Sequence, residues 1–431
     1  MIIEKIKALA RKLYRIGFAH IFTTSVINKL LSLVTNMVIV RVLSKSEYGM
    51  YSYAYNIVTI VLIVSDLGTR MARFQYCCET NDPAERKAIT RFLMSIGTVS
   101  NIIFSIGTFL YATFLPLSIP GGRFALQMLS ATYLFQYYYD QTCYGFRIEK
   151  DNKRYAFLTN INSIGYGAMV CIGAWLFGIT GTALGKYLSF VLPIAIGFCW
   201  MKKQKDDRLE NVAILSTIKK REMVKYGLLI VLTNSVSSVL SYFDTYLVGR
   251  IITDELVLAD YKVATVIPHA LNFIPTCFIT MIYPYFVEKA DDSKWILKVT
   301  KKAQLFLGIV SATIVVICAI FAPLVISIVF GKEYDSAVPV FQVLILTFFF
   351  SATFRLIYGN VLAMLHLVKV NFVLSVIECV INIIADVVMI KNYGSIGAAY
   401  ATLFITVFSS LLSGVFLNVY LKKHKNNDYI I

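Results

Sequence analysis

Long apolar runs, separated by short clusters of lysine and arginine, recur from one end of this 431-residue chain to the other. A run of about 20 apolar residues is what an α-helix needs to cross the hydrocarbon of a bilayer, and a helix satisfies its own peptide groups there. A window of about 19 residues finds roughly twelve such runs, near 17–40, 48–72, 88–115, 123–145, 155–177, 181–201, 224–248, 261–287, 303–329, 337–364, 370–391 and 396–421. Only 15% of the residues are charged, against about 25% in an ordinary soluble chain. The sequence therefore predicts an all-α integral membrane protein with about twelve transmembrane helices.

The basic residues orient those helices. With the N-terminus inside, 31 lysines and arginines fall in cytoplasmic segments and 6 in outside loops, alternating span by span. That bias predicts an even number of spans with both termini cytoplasmic. The net charge of +16 is thus spread along the loops as topology signals and contacts to anionic membrane lipids. A nucleic-acid-binding protein would gather it on one face, so no nucleic acid is expected. In residues 1–16, Ile2, Ile6, Leu9, Leu13 and Ile16 share one helical face and Lys5, Lys7, Arg11, Lys12 and Arg15 occupy the rest. That pattern reads as an amphipathic helix in the cytoplasmic interface rather than a cleavable signal. Eight cysteines (single except Cys77-Cys78) and four dispersed histidines show no metal or redox spacing, and no nucleophile motif or phosphate loop appears. No catalysis, metal or cofactor is expected.

The two halves of the chain repeat. Arg41 and Arg250 each close a first span at an offset of 209 residues, Tyr48 and Tyr261 open the next at 213, and Gly178 and Gly394 sit in matching turns at 216. Six spans precede a lysine-rich connector and six follow it. The expected organisation is a cytoplasmic helix at 1–16, a six-helix lobe at 17–201, a cytoplasmic connector at 202–223, a pseudo-symmetric six-helix lobe at 224–421 and a cytoplasmic tail at 422–431. A parallel repeat of this kind places substrate where the halves meet.

Polar stripes mark the helix faces turned from lipid. Ser25, Lys29, Ser32 and Asn36 share a face of the first span, and Asn234, Ser238, Ser241 and Thr245 take the same places in the seventh. Tyr133, Gln136, Tyr137, Asp140 and Tyr144 line one side of the fourth, Tyr155, Thr159, Asn162 and Tyr166 one side of the fifth, and Asn371, Ser375, Glu378, Asn382 and Asp386 one side of the eleventh. Small polar residues often serve only as hydrogen bonds between helices. A charge near the bilayer centre costs at least about 2.5–3.5 kcal/mol, which favours function for Lys29, Glu378 and Asp386. Asp66, Arg70 and Asp140 lie near cytoplasmic span ends and Asp244 and Lys262 near the outer face, where charge costs less. Lys29, Lys186, Lys262 and Arg355 are the cations within spans.

Several runs resemble those of the polysaccharide-export flippases, in the superfamily that also holds multidrug and toxin extrusion transporters. Arg41-Val-Leu-Ser-Lys-Ser-Glu47-Tyr48-Gly49-Met-Tyr51 is similar to the signature between that family's first two helices, and Ser65-Asp66-Leu67-Gly68 to the signature ending its second. Asp244-Thr-Tyr-Leu-Val-Gly249, Phe330-Gly331-Lys332-Glu333-Tyr334 and Gly394-Ser-Ile-Gly397-Ala398-Ala399 fall where the family has similar runs. The resemblance implies two six-helix lobes around a cavity open alternately to each face of the bacterial inner membrane. The implied cargo is an oligosaccharide repeat unit on undecaprenyl pyrophosphate, and the implied partners are a polysaccharide polymerase and chain-length machinery. The lipid II branch typically has an Arg-Asp pair on its first helix and further helices at its C-terminus. Thr35-Asn36 stands here instead, and the runs number twelve, which points to an O-antigen, capsule or exopolysaccharide unit.

Such a cargo needs cations for its phosphates and hydrogen-bonding, ring-faced side chains for its sugars. The substrate candidates are Lys29, Asn36, Asp66, Arg70, Tyr137, Asp140, Lys186, Asp244, Lys262 and Arg355. Glu378, Asn382 and Asp386 form a candidate site for a coupling ion, H+ or Na+. A cation-coupled multidrug antiporter of the same fold is the nearest rival, and its cationic cargo would be ill served by four intramembrane cations. A membrane polysaccharide polymerase is a more distant one, because the outside loops run only about three to twelve residues.

Overall fold

The structure, a computed structural model, describes residues 18–119, 121–204, 214–288, 292–365 and 367–427. The amphipathic helix expected at 1–16 lies outside those residues, as do 205–213 of the connector and 428–431 of the tail. Every regular element among the described residues is helical.

The chain runs α1 (Phe18–Val42), α2 (Lys45–Leu62), α3 (Thr69–Glu79), α4 (Pro83–Phe114), a short α5 (Gly122–Leu129), α6 (Thr132–Ile148) and α7 (Asn152–Gln204). It continues with α8 (Thr217–Ile251), α9 (Glu255–Leu271), α10 (Phe273–Glu288), α11 (Ser293–Ile320) and a short α12 (Ala322–Val329). A 3-10 turn (Lys332–Ala337), α13 (Val338–Phe350), a π turn (Ser351–Arg355), α14 (Leu356–Met364), α15 (Val368–Tyr393) and α16 (Ser395–Asn427) complete it. The second series repeats the first: a long helix, a broken helix, a long helix, a short one, another helix and a helical hairpin.

Local chemistry explains the breaks. Ser44 and Glu47 form a capping box at the start of α2, with the Ser44 hydroxyl accepting from the Glu47 N–H at 3.3 Å and Glu47 accepting from the Ser44 N–H at 3.0 Å. The run expected to be continuous from 48 to 72 breaks between α2 and α3. Leu67 and Gly68 take left-handed backbone angles there (φ 50° and 72°), and the Asp66 carboxylate accepts the Gly68 N–H at 3.0 Å. Residue 68 has to be glycine for a second reason, since a Cβ there would lie 2.1 Å from the Gly227 carbonyl oxygen. The run at 303–329 breaks at Phe321, where Pro323 in the first turn of α12 withholds a backbone donor from α11. Between the runs expected at 155–177 and 181–201, α7 turns back at Phe177–Gly178.

Seven helical stretches among the described residues are long and apolar enough to cross a bilayer. One of them, Asn152–Lys202, has 51 residues, about 75 Å of helix against about 30 Å of hydrocarbon, which is length for two crossings joined at Gly178. Burial is inverted relative to a soluble protein. Ile103, Ile106 and Leu110 form an exposed stripe on α4, and Trp175, Leu411 and Val415 are also exposed, while Asn101, Gln141 and Asp386 are buried. Such a surface is solvated by lipid tails, not water.

The chain divides into two compact units at Val239–Leu240, inside α8. The first part of α8 belongs to the first unit. Lys219 pairs with Glu85, the Tyr226 ring meets Tyr76 edge-on at 5.7 Å, and Gly227 backs onto Gly68. Leu215 and Met223 pack there with Ala72, Ile89, Leu93 and Ile148. The second unit has its own core of Ile296, Leu307, Ile357, Val361, Leu374 and Leu417 among others.

Candidate functional site

In the first unit, the polar stripes of α1, α6 and α7 converge. Ser32 and Asn36 from α1, Tyr55 from α2, Gln136 and Tyr139 from α6 and Asn162, Tyr166, Lys186 and Phe190 from α7 line a cavity of about 280 Å3. Its lining holds amides, hydroxyls and aromatic rings, with one cation and no carboxylate. Lys186 is 3% exposed and its ammonium sits 3.9 Å from the centre of the Tyr55 ring, a cation–π contact.

A second cavity of about 50 Å3 shares Gln136 and is lined by Asp66, Arg70, Asn101, Tyr133 and Tyr137, with Asp140. It has room for water rather than for a sugar. Arg70 pairs with Asp140, lies 3.8 Å from Asp66 and covers the Tyr144 ring at 5.6 Å. The Tyr137 hydroxyl meets that of Thr69 at 3.4 Å. One turn on, Arg73 is buried and donates to both the carbonyl and the side-chain oxygen of Gln141 at 2.7 Å.

The second unit holds two further groups. Asn382 donates to Asp244 at 3.0 Å and to Asp386 at 2.9 Å, and the Thr402 hydroxyl donates to Asp244 at 2.8 Å. Asp386 is fully buried, Asn382 is 2% exposed, and each has a buried side-chain oxygen with no hydrogen-bond partner. Two carboxylates, an amide oxygen and a hydroxyl make a donor set suited to a hard cation. Glu378, two turns before Asp386, stands apart from them. It accepts from Arg355 at 3.1 Å and from the Ser409 hydroxyl at 2.5 Å. The π turn at Ser351–Arg355 ends on that arginine.

The expected residues thus fall into four sets. Asn36 and Lys186 share the larger cavity of the first unit, and Asp66, Arg70, Tyr137 and Asp140 the smaller one. Asp244, Asn382 and Asp386 make one cluster in the second unit, and Arg355 with Glu378 another. Lys29 is exposed on α1 one turn before Ser32, and Lys262 is half-buried on α9; neither lines the two cavities. The side chains of Asn234, Ser238 and Ser241 lie outside the described residues. Sequence reasoning missed Tyr55, Tyr139, Phe190, Thr402 and Ser409. Thr402 had a signal, because it lies 216 residues after Lys186, the offset of the two hairpin glycines.

Residues 16–290 match the family described as polysaccharide biosynthesis protein. A protein named putative O-antigen transporter from Shigella flexneri is 23% identical over 235 residues, 54% of this chain and 55% of that protein. An uncharacterized membrane protein of Methanocaldococcus jannaschii is 25% identical over 224 residues, 50% of this chain and 43% of that protein. The chain spans about half the length of these curated relatives. Among solved structures, an inward-facing multidrug resistance MATE family transporter of the MOP superfamily superposes with a TM-score of 0.77 at 11% identity, covering 93% of this chain and 96% of that one. The lipid II flippase MurJ in an inward closed conformation gives 0.74 at 12% identity, covering 95% and 91%. These likenesses establish the two-lobe helical fold of that superfamily, and the sequence match establishes that this multi-pass membrane protein belongs to the polysaccharide biosynthesis protein family.

Proposed function

We propose that the chain is a flippase that carries undecaprenyl-pyrophosphate-linked oligosaccharide repeat units across the bacterial inner membrane by alternating access. The observation that carries this reading is the larger cavity of the first unit. Its amides and hydroxyls suit sugar hydroxyls, its rings suit sugar faces, and its single charge, Lys186, is a cation. The relative named putative O-antigen transporter supports an O-antigen, capsule or exopolysaccharide unit as cargo. A polysaccharide polymerase and chain-length machinery are the partners that would receive it. Asp244, Asn382 and Asp386, with Thr402, are proposed as the site of a coupling H+ or Na+, and Glu378 as the partner that holds Arg355.

The buried carboxylates of the second unit also suit a cation-coupled multidrug antiporter. The two readings part on cargo. Purified protein in liposomes with a fluorescent lipid-linked oligosaccharide on both leaflets should move it to the reporting face, and unlabelled lipid-linked oligosaccharide should compete. Export of an organic cation such as ethidium, with no movement of the lipid-linked sugar, would establish the antiporter instead.

A further inference from the structure

The hairpin within α7 and the hairpin between α15 and α16 are built alike. Gly178 has φ 56° and ψ −134°, and Gly394 has φ 66° and ψ −147°, a conformation open almost only to glycine. Across each turn the two backbones touch. A Cβ on Gly181 would lie 1.8 Å from the Gly173 carbonyl oxygen, and one on Gly397 would lie 2.0 Å from that of Met389. Every one of these pairs keeps the same offset of 216 residues. The hairpins are therefore equivalent residue for residue.

That equivalence assigns counterparts to the second unit's cation cluster. Asn382, Asp386 and Thr402 correspond to Tyr166, Val170 and Lys186, and the offset of 209 on the preceding span relates Asp244 to Thr35. Contacts agree with the assignment. Asp244 meets α15 at Asn382, and the Thr35 hydroxyl packs 3.0 Å from where a Cβ on Gly167 would stand, beside Tyr166. Two carboxylates have become a hydroxyl and a methyl pair, and the threonine hydroxyl has become an ammonium. Where the second unit offers negative charge to a cation, the first has a cation built in.

Among the described residues, no carboxylate or hydrogen-bond acceptor pairs with the Lys186 ammonium, which lies over the Tyr55 ring. A buried charge without a counter-charge is costly, and an arriving anion removes that cost. We propose that the Lys186 site is the charge-inverted twin of the cation cluster and takes a phosphoryl group, the diphosphate of the cargo. This rests on the flippase reading for the identity of the cargo and not for the charge of the ligand. It makes Lys186, ahead of Lys29, Lys262 and Arg355, the phosphate anchor, and it puts an ammonium at the place equivalent to Thr402 of the second unit's cation cluster.

The test is binding of farnesyl diphosphate to the purified full-length protein in neutral detergent, beside farnesol and inorganic pyrophosphate. Farnesyl diphosphate should bind and farnesol should not. Lys186→Met and Lys186→Gln should each weaken binding at least about tenfold, Lys186→Arg should restore part of it, and Gly107→Ala, where an added Cβ meets nothing within 4 Å, should leave it within about twofold. Pyrophosphate competing in the parental protein and not in Lys186→Gln would show that the phosphoryl group alone is recognised. Two Lys186 variants guard against one failing to fold. Parental affinity in the folded neutral variants, or no binding by the parental protein at about 1 mM, would overturn the proposal. Lys186-dependent binding in a protein that moves no lipid-linked sugar would sink the flippase reading and leave this site standing.

Discussion

Asn382 donates a hydrogen bond to Asp244 at 3.0 Å although 138 residues of chain separate them. The same amide nitrogen serves Asp386 at 2.9 Å, so one neutral side chain holds two buried carboxylates in place and ties α15 to α8. Hydrogen bonds to charged groups contribute about 1.5–3 kcal/mol each. Asn382→Ala should therefore lower the unfolding temperature of the purified protein by several degrees. An added cation that fills the cluster should stabilise the parental protein by about 2.7 kcal/mol at a hundredfold excess over its Kd. Thermal unfolding with Na+ and with N-methylglucamine, across pH, measures both. Equal stability of the parental protein and Asn382→Ala in every buffer would refute the role of the amide.

Coupling gives a separate prediction. Asp386→Asn should abolish the dependence of transport on an imposed pH or Na+ gradient in proteoliposomes. Glu378→Gln, which alters the partner of Arg355 and Ser409, should lower protein stability and leave the gradient dependence. If Asp386→Asn transports at the parental rate with the same gradient response, the second unit's cluster is not the coupling site.

Lys29 is exposed on α1, so its removal disturbs no packing. Lys29→Ala should reduce surface polysaccharide in cells at an unchanged membrane level of the protein, and Lys29→Arg should retain part of the activity. Full surface polysaccharide in the alanine variant would remove Lys29 from the substrate path.

The hairpin glycines admit no side chain. Gly181→Val and Gly397→Leu would each drive a Cβ to within 2.0 Å of a carbonyl oxygen, and overpacking of this kind costs about 1–3 kcal/mol or more. Gly107 is the control, because nothing lies within 4 Å of a Cβ built there. Gly107→Ala should stabilise α4 by up to about 1 kcal/mol. Thermal unfolding in detergent should lower both hairpin variants and not the control.

Cys77 and Cys78 report burial and sidedness together. Cys77 is 1% exposed, and burial pushes its thiol up, whereas Cys78 is exposed. A membrane-permeant maleimide should modify Cys78 in intact cells and spare Cys77, with labelling of Cys77 rising at higher pH as its thiolate forms. An impermeant reagent should label neither, since both are expected in the cytoplasm. Reporter fusions after residues 120, 254 and 334 should read outside and those near 150, 210 and 295 inside. Two reversed sites would show that the span count is wrong.

The sequence made the membrane class, the repeated order and the hairpin turns legible, because each rests on local pattern. Gly178 and Gly394 stand out as matched glycines before any geometry is known. The grouping of charges was less legible. Glu378, Asn382 and Asp386 share a stripe of α15, yet Glu378 and Asp386 are eight residues apart, about 12 Å along the axis. Partners from other helices divide them: Asp244 and Thr402 join Asn382 and Asp386, and Arg355 and Ser409 take Glu378. Helical periodicity tells which residues share a face and not which helix comes to meet it. Tyr55, Tyr139 and Phe190 escaped notice for a related reason, since an aromatic residue in an apolar run looks the same whether it faces lipid or a cavity.

The π turn at Ser351–Arg355 sets α13 and α14 in different angular frames. Such a turn holds one residue more than the helix around it needs. Straightening it into regular helix at the same length would rotate everything after it by about 100° relative to α13. Arg355 would swing off Glu378, and Ile357, Val361 and Leu362 would leave the core they fill. A one-residue deletion would instead let the helix close regularly with the following faces in place, drawn in by about 1.5 Å. In this stretch the backbone form is as constrained as residue identity, and a stabilising design that straightens the bulge into regular helix without removing a residue would aim every following side chain in the wrong direction.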